Sequence, residues 1–176
     1  MKKYFALAVV MTLATLVYAQ PSVQEGTREL SLEVQWDGDG PTGSLLDLAV
    51  GYGVFVRDGI EVGGLLGYTS VEDFGGPGSD WKEWAIGGFA EYHYDMASMT
   101  VPYIGARVYY DSYEVGSLDD TAFVYGPRLG IKHFLADNVA IDFALEYMLA
   151  SEEIFVNDGE AEDSDLTFNI GIRAMF

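Results

Sequence analysis

After its first nineteen residues this chain alternates apolar residues with small or charged ones, again and again, without an apolar stretch as long as a membrane helix. Period two is the strand repeat, because successive side chains on a strand point to opposite faces. The first run sets Leu30, Leu32, Val34 and Trp36 against Ser31, Glu33 and Gln35. The second sets Leu46 to Val56 at even positions against Asp47, Ala49, Gly51, Gly53 and Phe55. Similar runs cover Ile60 to Tyr68, Trp84 to His93, Tyr103 to Tyr110, Phe123 to Lys132, Val139 to Tyr147 and Leu166 to Phe176. These eight runs each approach the roughly 9–11 residues that a tilted strand needs to cross a bilayer.

The connections sort by length. They are tight after the second, fourth and sixth runs (Arg57-Asp58-Gly59, Asp95 to Ser98, Leu135 to Asn138). They are longer after the third, fifth and seventh (Ser70 to Asp80, Ser112 to Thr121, Ser151 to Asp165), with Asp37 to Gly43 intermediate. Short turns on one rim and long loops on the other is the layout of a membrane barrel, and a soluble sandwich has no reason for it. Parity alone does not separate a membrane barrel from a soluble one, which would turn its apolar face inward. Aromatics near run ends favour the membrane: Trp36, Tyr68, Trp84, Tyr110 and Tyr147 at one rim, with Tyr92, Phe134 and Phe176 at the other. Glycine recurs on the face expected to line a narrow bore. The fold expected is an all-β, eight-stranded antiparallel transmembrane β-barrel.

Residues 1–19 read as a cleavable signal peptide. Lys2 and Lys3 precede the apolar Phe5 to Val17, and Val17-Tyr18-Ala19 supplies small residues at cleavage spacing. The barrel is then expected over residues 20–176, with no peptidoglycan-binding domain beside it. The signal takes two bases and no acid, leaving seven Lys+Arg against 28 Asp+Glu, a net charge of −21. Such a chain repels nucleic acid. At 49% apolar and 14% aromatic residues it is no disordered acidic tail, so it must sort charged and apolar groups onto different surfaces. Without cysteine it has neither disulfides nor thiolate chemistry.

The C-terminal Asn169-Ile170-Gly171-Ile172-Arg173-Ala174-Met175-Phe176 resembles the outer-membrane insertion signal, with Gly171 and Phe176 at its key places and Ala174 where a larger apolar residue is usual. Val101-Pro102-Tyr103-Ile104-Gly105-Ala106, and the stretch Gly126 to Tyr147, are similar to strands of the small outer-membrane barrel superfamily. That group includes the transmembrane domain of outer-membrane protein A, outer-membrane protein X and the opacity-type surface proteins. The resemblance implies location in the bacterial outer membrane, contact with its lipid and lipopolysaccharide, and assembly by the barrel-insertion machinery. It does not imply one function.

Chemistry that needs a placed nucleophile finds little support. The two histidines, His93 and His133, have no serine at the short spacing of the barrel deacylases, so no catalytic, cofactor-binding or metal-ligating residue is assigned and no enzyme activity is expected. The inward parity does carry charge: Glu33, Asp47, Glu61, Glu91, Asp142 and Glu146 as acids, Arg107, Arg128, Lys132 and Arg173 as bases. Buried charge is tolerated only when paired, so these ten are expected to form a network that plugs the lumen. A turn near Asp137 sets Arg128 near Glu146 and Lys132 near Asp142, and the last run brings Arg173 to Asp142.

Most remaining acid lies in the connections. Ser151 to Asp165 holds Glu152, Glu153, Asp158, Glu160, Glu162, Asp163 and Asp165, and Asp111, Glu114, Asp119 and Asp120 flank the preceding connection. These would be a solvated, repulsive surface, or would bind divalent cations or a basic surface partner. Asn157-Asp158-Gly159 lacks the ligand spacing of a calcium loop, and Gly75 to Gly78 makes a flexible tip. The function expected is a non-enzymatic surface barrel for envelope integrity or adhesion. The alternative is a narrow transporter of ions or small solutes.

Overall fold

The structure, a computed structural model, describes residues 23–40, 43–71, 81–94, 98–115, 118–152, 154–157 and 160–176. The expected signal peptide, the turn residues 95–97, the 75–78 tip and Asp158-Gly159 lie outside them. Among the described residues ten strands form, and eight close a barrel: β1 (Arg28–Gly40), β2 (Gly43–Arg57), β3 (Ile60–Val71), β4 (Trp81–His93), β5 (Thr100–Val115), β6 (Leu118–Ala136), β7 (Val139–Ala150) and β10 (Ser164–Met175). The other two, β8 (Phe155–Asn157) and β9 (Glu160–Glu162), make a small hairpin inside the final connection. Each barrel strand pairs antiparallel with its neighbours, and β10 returns to β1 to close the ring.

Alternation decides which face looks where. From Thr121 to Phe134 of β6 the even-numbered side chains are buried and the odd ones exposed, whereas in β4, β5 and β10 the odd-numbered ones turn inward and the even ones outward over most of their length. The outer wall carries Trp84, 65% exposed, Leu166, 61%, and Leu129, 60%, among many other apolar residues. A continuous apolar belt of this size is a membrane surface. Tyr68 stacks against Trp84 at 4.6 Å between ring centroids on that wall, and Tyr52 approaches Phe176 at 6.5 Å toward the opposite rim.

The strands run past the expected turns. Ser112 to Val115 and Leu118 to Thr121 belong to β5 and β6, of 16 and 19 residues, so this hairpin is longer than a membrane crossing requires. The rim of short turns includes Asp58-Gly59, where Gly59 adopts φ +74°, the left-handed region that suits glycine. Inside the wall, Gly130 makes room for the Tyr103 ring. A Cβ there would lie 2.4 Å from Tyr103 Cζ.

At the short-turn end the bore is closed by apolar side chains: Val23, Phe55, Val101, Phe134, Ala140 and Met175. Residues before β1 fold across this end, with Gly26 N donating to the Phe55 carbonyl and Gly59 N to the Val23 carbonyl. Phe134 corrects the sequence expectation. It is 1% exposed and inside the barrel, not in the outer aromatic girdle, because it shares the parity of Lys132. At the opposite end, Ile154 and Phe155 of the final connection pack on Ala122, Val124, Met148 and Tyr109.

Candidate functional site

Next to the apolar plug, the middle of the bore is filled by charge. Arg128 of β6 occupies the middle. Its Nη2 donates to Glu33 at 2.9 Å and to Asp142 at 2.7 Å, its Nη1 to Glu146, and its Nε to the Tyr103 hydroxyl at 2.8 Å. Arg107 of β5 grips Glu33 with both terminal nitrogens, at 2.6 and 3.0 Å, and lies 3.1 Å from Glu146. On the plug side, Arg173 of β10 donates to Asp142 and reaches Glu29 at 3.0 Å and Glu33 at 3.1 Å. Lys132 of β6 donates to Glu29 at 2.6 Å and Glu61 at 3.1 Å, over the rings of Phe55 and Tyr103.

These contacts join into one body. Glu33 shares its carboxylate among Arg107, Arg128 and Arg173, and Asp142 ties Arg128 to Arg173. Among the described residues, ion pairs therefore bridge β1, β3, β4, β5, β6, β7 and β10 across the lumen, leaving β2 aside. Arg173 and Lys132 are each 0% exposed. Burial on this scale demands pairing, since an isolated charge out of water costs several kcal/mol. An eight-stranded bore is only wide enough for side chains, so long bases from one wall meet acids on the opposite one.

Nine of the ten inward charges read from the sequence meet here. Asp47 does not. It lies farther toward the long connections, where Thr69 Oγ1 donates to it at 3.4 Å. The expected approach of Lys132 to Asp142 is corrected. The two residues are Cα partners on β6 and β7, but the ammonium turns across the bore to β1 and β3, while Arg128 and Arg173 hold Asp142. Two participants escaped the sequence reading. Glu29 shares the parity of Glu33 on β1, which was signal enough. Tyr103, whose hydroxyl donates to Asp142 at 2.9 Å, reads in the sequence only as an inward aromatic.

No family model matches the chain, and no curated protein matches it. Solved structures do match. Neisserial surface protein A superposes with a TM-score of 0.56 at 20% identity, covering 85% of this chain and 96% of that one. The outer membrane protein Ail of Yersinia pestis gives 0.56 at 14% identity, over 86% of this chain and all (100%) of that one. The N-terminal β-barrel domain of Pseudomonas aeruginosa OprF gives 0.54 at 16%, over 86% and 98%. The fold is that of a small outer-membrane β-barrel.

The histidines of this barrel stand apart from each other. His133 is exposed and shares a 2.9 Å hydrogen bond with Thr100. His93 is buried between the rings of Phe55 and Tyr103, at 5.1 and 5.2 Å, with its Nε2 3.4 Å from Glu91 and 3.7 Å from Glu61. One ligand atom from each of Glu61, Glu91 and His93 lies within 4.8 Å of the others, a spacing that a metal ion could use. Lys132 already sets its ammonium 3.1 Å from Glu61 and 3.6 Å from Glu91, so a second cation would be repelled from that place. Asp111 corrects another expectation. It faces the lumen, 1% exposed, and does not belong to the solvated acidic surface.

Proposed function

We propose that the protein is a non-enzymatic surface barrel of the bacterial outer membrane, serving envelope integrity or adhesion through its acidic connections. The observation that carries this reading is the continuous layer of ion pairs across the bore, backed by the apolar plug at the short-turn end. A lumen filled in this way supports the wall and leaves solutes no wide path. Interaction then falls to the long-connection end, where Glu152, Glu162 and Asp163 are exposed. Neisserial surface protein A, which shares the fold, is by name a surface protein.

The same reading takes residues 1–19 as a signal removed on export, and Gly171 and Phe176 as marks read by the barrel-insertion machinery. Lipid and lipopolysaccharide surround the wall. Divalent cations or a basic surface partner meet the acidic connections by charge complementarity. The test is single-channel conductance of refolded protein in a planar bilayer. The expected result is no current from protein shown by its heat-dependent gel mobility to be folded. A stable, reproducible current step would overturn the closed lumen and make narrow transport the function.

A further inference from the structure

Toward the long connections from the charged layer, the bore holds a cavity of ≈ 740 Å³. That lies within the range of ligand sites, about 300–1,000 Å³. Its wall is acidic by register. Asp47 of β2 faces Thr69 of β3, Thr69 faces Glu83 of β4, and Asp111 of β5 faces Ala85, two residues from Glu83 on the same face. Three carboxylates thus line one side of the cavity. Among the described residues that line it, the only base is Arg107, which Glu33 and Glu146 already hold. Asp111 is the sharpest feature: it lines the cavity, is 1% exposed, and its Oδ1 has no hydrogen-bond partner. Asp47 and Glu83 beside it are half-buried; carboxylates gathered in this way without a counter-charge repel one another, and a cation that joined them would relieve the repulsion.

A second observation says what kind of cation. The seam between β1 and β10 is zipped only from Arg28 and Phe176 to Glu33 and Gly171. Beyond it, the described residues of β1 pair with β2 alone, and Ser164 to Ile170 of β10 pair with β7 alone. A bilayer crossing needs about 9–11 residues, so the parted stretch still lies within the membrane. Backbone left unpaired at this depth is tolerated where it lines a cavity. Val34, Phe168 and Ile170 flank this gap. They line the cavity and yet are 45%, 59% and 50% exposed on the outer wall, so the cavity runs from the acidic lumen through the wall to the lipid.

We propose that this cavity binds a cationic amphiphile, its head held by Asp111, Glu83 and Asp47 and its tail passing between β1 and β10 into the bilayer. The site draws on the barrel wall and not on the surface role, so a current in the planar bilayer would leave it standing. The experiment is calorimetric titration of dodecyltrimethylammonium into the full barrel in phosphatidylcholine nanodiscs, with barrel-free nanodiscs subtracted. The expected result is a saturable component. It should be weakened about tenfold by Asp111→Asn, the loss of one close charge contact. Glu83→Gln should weaken it in the same direction, which covers the case in which Asp111→Asn fails to fold. Tetramethylammonium, which has the head and no tail, should bind at least tenfold more weakly, roughly the loss of two or more buried methylenes. Dodecyl sulfate, with the tail and the wrong charge, should show no saturable component. The proposal is overturned if dodecyltrimethylammonium only partitions into lipid, if both variants bind as the parent does, or if the tailless cation binds as well.

Discussion

Replacing Arg128 with Met keeps a long, flexible side chain in the middle of the lumen and removes its charge. Arg128 donates to Glu33, Asp142, Glu146 and the Tyr103 hydroxyl. Breaking a buried pair by removing one partner costs about 3–5 kcal/mol, because the other charge stays in low dielectric. The structure places this case near the lower end. Glu146 keeps Arg107 at 3.1 Å, Glu33 keeps Arg107 and Arg173, and Asp142 keeps Arg173 and Tyr103, so no carboxylate is wholly orphaned. What changes is the balance. Glu29, Glu33, Glu61, Glu91, Asp142 and Glu146 oppose Arg107, Arg128, Lys132 and Arg173, an excess of two acids that becomes three. The expected loss is about 3 kcal/mol, read from urea titrations of the barrel refolded into lipid vesicles and followed by heat-dependent gel mobility. Adding Glu146→Gln should return at least about 1 kcal/mol, the coupling expected of residues in contact. A loss below about 1 kcal/mol would mean that water screens the layer as it does surface pairs, and the argument for a structural network would fail.

Two further expectations use the same protein. Gly130→Val would drive a side chain into the Tyr103 ring, where even a Cβ would lie at 2.4 Å, and should cost about 1–3 kcal/mol by overpacking. Gly64→Ala, whose nearest neighbour is an ordinary contact at 3.6 Å, should be tolerated in the same titration; equal effects would refute the packing of the inner wall. N-terminal sequencing of protein recovered from the membrane should begin at Gln20, and a mature chain that still starts at Met1 would remove the signal-peptide reading.

How far the sequence reached follows from the reach of local rules. Period-two alternation is a property of each strand alone, so Glu61, Arg107, Arg128 and Arg173 could be assigned inward, and Trp84 and Leu166 outward, with no knowledge of neighbours. The order of the walls also followed, because short turns make consecutive strands neighbours. Strict parity would even have turned Phe134 inward, and the expected aromatic girdle misled there. What only the tertiary structure decided lies across the bore. Lys132 leaves its Cα partner Asp142 for Glu29 and Glu61, and Glu33 gathers Arg107, Arg128 and Arg173 from three other strands. These choices depend on ring closure and on a bore narrow enough for opposite walls to touch, which no pairwise register reports. The half-zipped seam between β1 and β10 has the same origin: its strands are the first and last of the barrel, no turn joins them, and their pairing is settled only when the ring closes.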